Sequence, residues 1–186
     1  MTNSVFQLFH KEFPPTGERS PYNPTRHDVL AAKVPAALAT EWQNFGFGAY
    51  GGGILWTPVP DEPLLNPDDW DALDGTGIEV LRTAFADVCV WQNADFLWLN
   101  VHSGKHFSFS PIAELLFDST FIEKHFRKSI LLEQLLHRAR KRFGDLGSEE
   151  CFGFAPLPAF GGAIKEEYLI KTPMRHYVAM VAQINS

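Results

Sequence analysis

Two cysteines and two histidines are the side chains whose type and spacing come nearest to a nucleophile or a metal site. Cys89 and Cys151 each lie in an apolar run, which favours a buried, reduced thiol, and neither has a local nucleophile signature. His102 and His106 lie four residues apart across an expected hairpin turn. No Cys or carboxylate lies at ligand spacing beside them, and a structural zinc site uses four ligands. We therefore expect no metal and no cofactor.

Adjacent carboxylates offer a second route to catalysis, as a general acid and a general base. The two pairs in the sequence are Glu149 with Glu150 and Glu166 with Glu167. Neighbouring residues point in different directions on a helix or a strand, so this spacing does not pair them for proton transfer. The sequence also lacks the Gly-x-Ser-x-Gly nucleophile elbow. We expect a protein that is not an enzyme, with no catalytic residue.

A glycine-rich segment, Phe45–Trp56, is a third candidate, because such segments can bind phosphate. A phosphate loop follows a strand, precedes a helix and usually contains a Lys with a Ser or Thr. Here the expected helix Pro35–Trp42 comes first, and a strand is expected from Ile54 onward. The five glycines are therefore interpreted as a corner that ends the helix and reverses the chain.

Aromatic residues near this corner suggest an alternative function, a small-ligand-binding module. Tyr50, Trp56 and Trp91 are the residues from which an aromatic ligand pocket could be built. A deep cavity with convergent polar groups beside these rings would favour this alternative. The sequence does not specify the ligand.

An acidic segment, residues 61–74, contains six carboxylates and no Lys or Arg. One interpretation is a solvated loop with a short helix that begins at Asn66 and Pro67, because runs of like charge usually face water. The other interpretation is a surface for a basic partner. The candidate partner-binding residues are Asp61, Glu62, Asp68, Asp69, Trp70, Asp71 and Asp74.

Composition indicates a soluble globular protein and argues against direct nucleic-acid binding. The chain has 186 residues, of which 45% are hydrophobic and 20% charged, and its net charge is −6. A protein that binds free DNA is more often basic. The basic cluster Arg138–Arg142 lies at the end of an expected helix, where cations favour the helix dipole. No signal peptide and no stretch long enough to cross a bilayer is visible, so we expect a cytoplasmic protein without membrane contact.

Alternating apolar residues predict an antiparallel meander in the middle of the chain. Its expected strands are Phe85–Trp91, Phe96–His102 and Lys105–Ser110, joined by short turns. In the second strand Phe96, Trp98 and Asn100 share one face, and Leu97, Leu99 and Val101 share the other. Because both faces carry large apolar groups, we expect this strand to be covered on both sides.

The remaining segments complete an α+β prediction. Residues 14–28 are expected to form an extended loop, because they are rich in Pro, Gly, Ser and Asn. Helices are expected at 112–117, 120–126, 129–143 and from Pro173 onward, and strands at 151–154 and 168–171. The predicted fold is a predominantly antiparallel sheet with helices packed against it. We expect residues 1–186 to form one globular domain and a single compact unit.

Several segments taken together resemble a bacterial protein family. They are Pro35–Trp42, Gly46–Gly53, Thr83–Trp91, Glu149–Pro156, Gly161–Gly162, Arg175–Tyr177 and Ala182–Gln183. This arrangement is similar to a GAD-like domain followed by the C-terminal domain of the type VI secretion DNase-immunity protein family. The family usually has Gly where this chain has Ala86.

The resemblance implies a fold in two halves and an immunity function. Residues of about 25–110 would form the GAD-like half, with a helix and a meander, and about 111–186 the immunity-type half. The implied function is to bind and neutralise a cognate secreted nuclease toxin. No catalytic residue is implied, and the oligomeric state is left open. An acidic chain agrees with such a partner, because nucleases present basic grooves to DNA.

Overall fold

An antiparallel meander makes up most of the strand structure. We analysed a computed structural model of the chain, which describes residues 4–185. Within this range, seven strands pair in sequence order, each with the next, and two later strands pair in a separate antiparallel sheet. The large sheet contains β1 Pro15–Ser20, β2 Phe47–Tyr50, β3 Leu55–Thr57, β4 Ile78–Thr83, β5 Val88–Gln92, β6 Asp95–Asn100 and β7 Lys105–Phe109. The small sheet contains β8 Glu150–Phe154 and β9 Leu169–Pro173.

Helices flank both sheets, and the α+β prediction is confirmed. A π turn, Leu116–Thr120, directly continues the short helix α4. The helices are α1 Gln7–Glu12, α2 Pro24–Ala31, α3 Ala36–Phe45, α4 Ala113–Leu115, α5 Lys124–Ser129, α6 Glu133–Phe143 and α7 Met174–Asn185. Short 3-10 turns lie at Pro67–Asp69, Pro158–Phe160 and Glu166–Tyr168.

Strand β6 separates two apolar cores, as its alternating sequence predicts. Phe96 and Trp98 lie in the larger core, which also contains residues of α1, α3, α6 and β8. Leu99 and Val101 lie in the smaller core, which α7 covers. The larger core therefore contains residues from both ends of the chain, including Phe9 and Phe152.

The glycine-rich segment contains more structure than one corner. Gly46 ends α3 with φ of 63°, and its N–H donates to the carbonyl of Trp42. The next residues form strand β2, which the sequence analysis did not predict. Gly51–Gly53, all with positive φ, then make the hairpin turn into β3. The expected strand after the glycines is confirmed and begins at Leu55.

Besides β2, two further strands of the large sheet were not predicted from the sequence. The prediction of an extended loop over residues 14–28 is wrong for β1 and for the start of α2. Strand β1 is a polar edge strand with few apolar residues, so it lacks the alternating pattern. Strand β4 is buried along its whole length although it contains Glu79 and Arg82. These two charges interrupt the apolar run by which a buried strand is recognised in a sequence.

Ala86 takes a backbone conformation that normally favours glycine. Ala86 has φ of 71° in the turn between β4 and β5, a conformation that costs a residue with a Cβ about 1–2 kcal/mol. Its methyl group is fully buried in the smaller core. Burial of the methyl group offsets part of the backbone cost.

The longest expected helix is shorter than predicted. Leu132 takes a left-handed conformation with φ of 52°, so α6 begins at Glu133 and not at residue 129. Its end at Gly144 is confirmed, since this glycine has φ of 77° and donates to the Arg140 carbonyl. Leu135, Leu136 and Ala139 form the buried face of this helix.

Replacing Gly46 tests the role of the first glycine. In Gly46→Ala, the new Cβ would lie against the Ser20 carbonyl oxygen, and the backbone would be strained as well. We expect a loss of about 2–4 kcal/mol in the free energy of unfolding. Gly144→Ala is the matched control, because Gly144 also ends a helix with positive φ but has open space around it. The control should lose about 1 kcal/mol. Equal losses in urea titrations would contradict the steric explanation.

Candidate functional site

A buried carboxylate holds the acidic segment against the large sheet. Glu79 of β4 is 7% exposed. Its Oε1 accepts hydrogen bonds from the backbone N–H groups of Leu64 and Leu65 at 2.8 and 2.7 Å, and its Oε2 lies 2.9 Å from the Leu64 nitrogen. Burial raises the pKa of Glu79, while the two N–H groups act in the opposite direction. Residues 64–65 are therefore fixed by bonds to an inner strand.

Trp70 lies inside the protein, not on its surface. The side chain is 5% exposed and belongs to the smaller core, together with Leu65 and Val178. Its role is to pack the acidic segment onto α7. Trp70 was expected among the partner-binding residues, and its burial leaves it little area to offer to a partner.

The carboxylates at the two ends of the acidic segment have partners within the chain. Arg26 lies 2.7 Å from Asp61 and 3.0 Å from Glu62. At the other end, the Thr76 side chain and N–H donate to Asp74 Oδ1, and Asn93 donates to Oδ2. The Thr76 hydrogen bonds lower the pKa of Asp74. Arg26 therefore offsets the charge of Asp61 and Glu62, whereas Asp74 stays ionised but is held in place by its hydrogen bonds.

Three aspartates in the middle of the segment remain exposed. Asp68 and Asp69 lie on the 3-10 turn Pro67–Asp69, and Asp71 follows Trp70. Over residues 4–185, the structure shows no ion pair for any of the three. We call Asp68, Asp69 and Asp71 the aspartate patch. The short helix expected at Asn66 and Pro67 is present as this 3-10 turn.

The three aromatic residues of the alternative pocket do not come together. Tyr50 is buried in the larger core, where its hydroxyl donates to Glu41 at 2.7 Å. Trp91 packs on Phe96, and its Nε1 donates to the Lys33 carbonyl. Trp56 lies on the opposite face of the sheet from Tyr50, because Tyr50 pairs with Leu55 in the hairpin.

Trp56 alone of these three borders a large cleft, of about 770 Å³, which we call the Trp56 cleft. The cleft lies between β1–β3 and the loop that follows α6. Its lining includes Arg19, Gly48, Gly52, Arg140 and Ser148. The cleft is not apparent from the sequence, because its two sides, residues 16–56 and 140–148, are far apart in the chain.

The buried titratable groups do not form an open catalytic site. Burial raises the pKa of Asp87 to about 7, in the range of a general base, but its oxygens accept bonds from Asn100 and the Val101 N–H. Burial lowers the pKa of His102 to about 4, and its ring contacts the Phe85 carbonyl and Tyr177. Neither Asp87 nor His102 lines the Trp56 cleft.

The cysteines and the histidine pair are also explained by packing. Cys89 and Cys151 are free, buried thiols, and burial raises the pKa of both. His102 is buried while His106 lies on the exposed edge strand β7. Among residues 4–185, no group of three or more His, Cys, Asp or Glu is placed to hold a metal ion.

Membrane insertion through a helix has no candidate segment in the described range. None of the helices between residues 4 and 185 combines the length and the apolar character that crossing a bilayer requires.

A comparison with known protein families finds a match for the C-terminal segment. Residues 113–185 match a family described as "T6SS immunity protein Tdi1, C-terminal". The match supports the immunity part of the expected resemblance, and it does not extend to residues before 113. Among curated proteins, none matches this chain.

A solved structure shares the fold over nearly the whole chain. It is titled "Crystal structure of Atu4351 from Agrobacterium tumefaciens" and is 14% identical in sequence. The alignment has a TM-score of 0.71 and covers 96% of this chain and 89% of that one. At this identity the similarity shows the fold alone.

Removing the Glu79 carboxylate should release the acidic segment. In Glu79→Ala, the N–H groups of Leu64 and Leu65 lose their acceptor, at a cost of about 1–3 kcal/mol. We expect faster hydrogen–deuterium exchange across residues 61–74 and earlier proteolysis there. Asp68→Ala is the matched control and should leave both measurements unchanged. Unaltered exchange in Glu79→Ala would show that other contacts hold the segment.

Proposed function

We propose that this chain is an immunity protein that binds a cognate type VI secretion toxin and neutralises it without catalysing a reaction. The observation that carries the proposal is the match of residues 113–185 to an immunity family. The free, buried cysteines and the enclosed position of Asp87 agree with a binding role.

A nuclease is the toxin class that the charge of this chain suits best. The net charge is −6, and three of the acidic residues, those of the aspartate patch, have no ion-pair partner in the described part of the chain. Nucleases bind DNA phosphates through basic side chains, so a basic groove faces any inhibitor that covers it. Complementary charge raises the association rate and selects against other partners.

The aspartate patch is the contact surface that we propose on the immunity protein. Glu79 and the buried Trp70 fix the segment on either side of Asp68 and Asp69. A segment that is already ordered loses less entropy on binding than a mobile one. The patch can therefore present its charges in one arrangement. Asp61, Glu62 and Asp74 flank it as weaker contributors.

We also propose a division of the chain into two halves, which the match of residues 113–185 supports for the second half. Residues of about 25–110 form the GAD-like half and residues of about 111–186 form the immunity-type half. The larger core supports one folding unit, because Trp98 of the first half and Phe126 of the second are in edge-to-face contact at 5.5 Å.

A nuclease inhibitor protects DNA, so the cytoplasm is the location we propose.

Charge reversal of the aspartate patch tests this surface. The cognate toxin would be a secreted nuclease encoded beside this chain, expressed as a catalytically inactive variant and mixed with the purified protein. We expect wild type to bind it, and the triple variant Asp68→Lys, Asp69→Lys, Asp71→Lys to associate about tenfold more slowly or worse at low salt. Surface plasmon resonance measures the association rate.

A matched control separates local from global charge effects. The triple variant Glu18→Lys, Glu114→Lys, Glu167→Lys makes the same charge change at exposed carboxylates outside the segment. The control should bind like wild type. Equal binding by both triple variants would remove the surface assignment, whereas absence of binding by wild type to the adjacent toxin would remove the immunity role.

A further inference from the structure

The most unusual buried charge in the protein is the guanidinium of Arg82. Arg82 is 2% exposed, and its guanidinium carbon lies 4.4 Å from the centre of the Trp56 ring. The two residues are direct partners across β3 and β4, so the strand register places one side chain over the other. Burial lowers the pKa of Arg82 to about 10, and the group is still a cation at neutral pH.

No carboxylate of the described residues is paired with Arg82. The nearby arginines differ, because Arg140 lies 2.6 Å from Asp145 and Arg175 lies 3.8 Å from Glu149. Arg19 forms hydrogen bonds to three backbone carbonyls. Glu149 and Glu79 stabilise the Arg82 cation from a distance, but neither carboxylate contacts it, so an anion in direct contact with the guanidinium would be favourable.

Arg82 also has unused hydrogen-bond donors. Its two bonds go to the carbonyl of Ser148 at 2.7 Å and, more weakly, to that of Thr83 at 3.4 Å. A guanidinium carries five N–H donors in a planar fork. About three donors therefore have no acceptor among residues 4–185. Charged donors of this kind bind carboxylate and phosphate oxygens strongly.

A small cavity connects Arg82 to the Trp56 cleft. The cavity has a volume of about 60 Å³, and its charged lining residues are Arg82 and Arg175 together with Glu62 and Glu149. It shares Ser20, Gly48, Trp56 and Ser148 with the Trp56 cleft of about 770 Å³. The small cavity has room for a carboxylate or phosphate group, and the cleft has the size of sites that hold small organic ligands.

We propose that Arg82 and the Trp56 cleft form a binding site for a small organic anion. The carboxylate or phosphate group of the ligand contacts the Arg82 guanidinium in the small cavity. The rest of the ligand lies in the Trp56 cleft, along the edge of Trp56 and the backbone of Gly48. This site is separate from the aspartate patch, which lines neither cavity. Anion binding can therefore be tested without the toxin.

Titration with acetate and with phosphate tests the site and separates the two head groups. Each anion would be added to the ¹⁵N-labelled protein at fixed ionic strength, with chloride as the balancing salt. We expect saturable shifts of the Trp56 indole N–H and of the Ser148 and Gly48 amides for at least one of the anions. A shift that grows linearly, or that chloride alone reproduces, would overturn the proposal.

Two variants and one control show whether the anion binds at Arg82. Arg82→Lys keeps the charge but removes the planar fork, and it should weaken binding about tenfold. Glu149→Gln removes a carboxylate near the small cavity whose side chain is 71% exposed, so the fold is unaffected and binding should tighten about twofold or more. Arg138→Lys, at an exposed site that lines neither cavity, should bind like wild type. If Glu149→Gln leaves the affinity unchanged and Arg82→Lys binds normally, the anion does not bind at Arg82.

Discussion

A bulge in strand β4 places two charged side chains on the same buried face of the large sheet. The pairing with β5 shifts between Glu79 and Leu81, so Glu79 and Arg82, three residues apart, both point toward the smaller core. Their cross-strand partners, Val90 and Val88, belong to that core. In a regular strand, residues three apart would face opposite sides. The bulge thereby gives this face one buried anion and one buried cation.

These two groups act on different parts of the protein. Glu79 binds two backbone N–H groups of the acidic segment and so fixes the base of the aspartate patch. Arg82 stacks on Trp56 and binds the Ser148 carbonyl, which connects the N-terminal sheet to the loop before β8. Strand β4 therefore supports both the proposed toxin surface and the proposed anion site.

The alternation of apolar residues made strand β6 predictable, whereas buried charges made strand β4 difficult to recognise. Strand β6 was recognised because Phe96 and Trp98 alternate with Leu97 and Leu99, and both faces are covered as expected. Strand β4 was not recognised, since its buried Glu79 and Arg82 look like surface residues in sequence. The sequence signal for both the toxin surface and the anion site was therefore a pair of charges, Glu79 and Arg82, inside a strand that is buried throughout.

The candidate sites depended on side-chain direction, which sequence proximity does not give. Tyr50 and Trp56 are near in sequence but lie on opposite faces of a hairpin. Trp70 lies among acids, yet it faces inward and packs under α7. The aspartates beside it remain exposed, as the acid-only run predicts.

The most direct test of the central claim is hydrogen–deuterium exchange of this protein alone and in complex with its cognate toxin. The toxin should slow exchange of the backbone amides around residues 66–72. Protection confined to β7, or to the Trp56 cleft, with none in the acidic segment, would contradict the account.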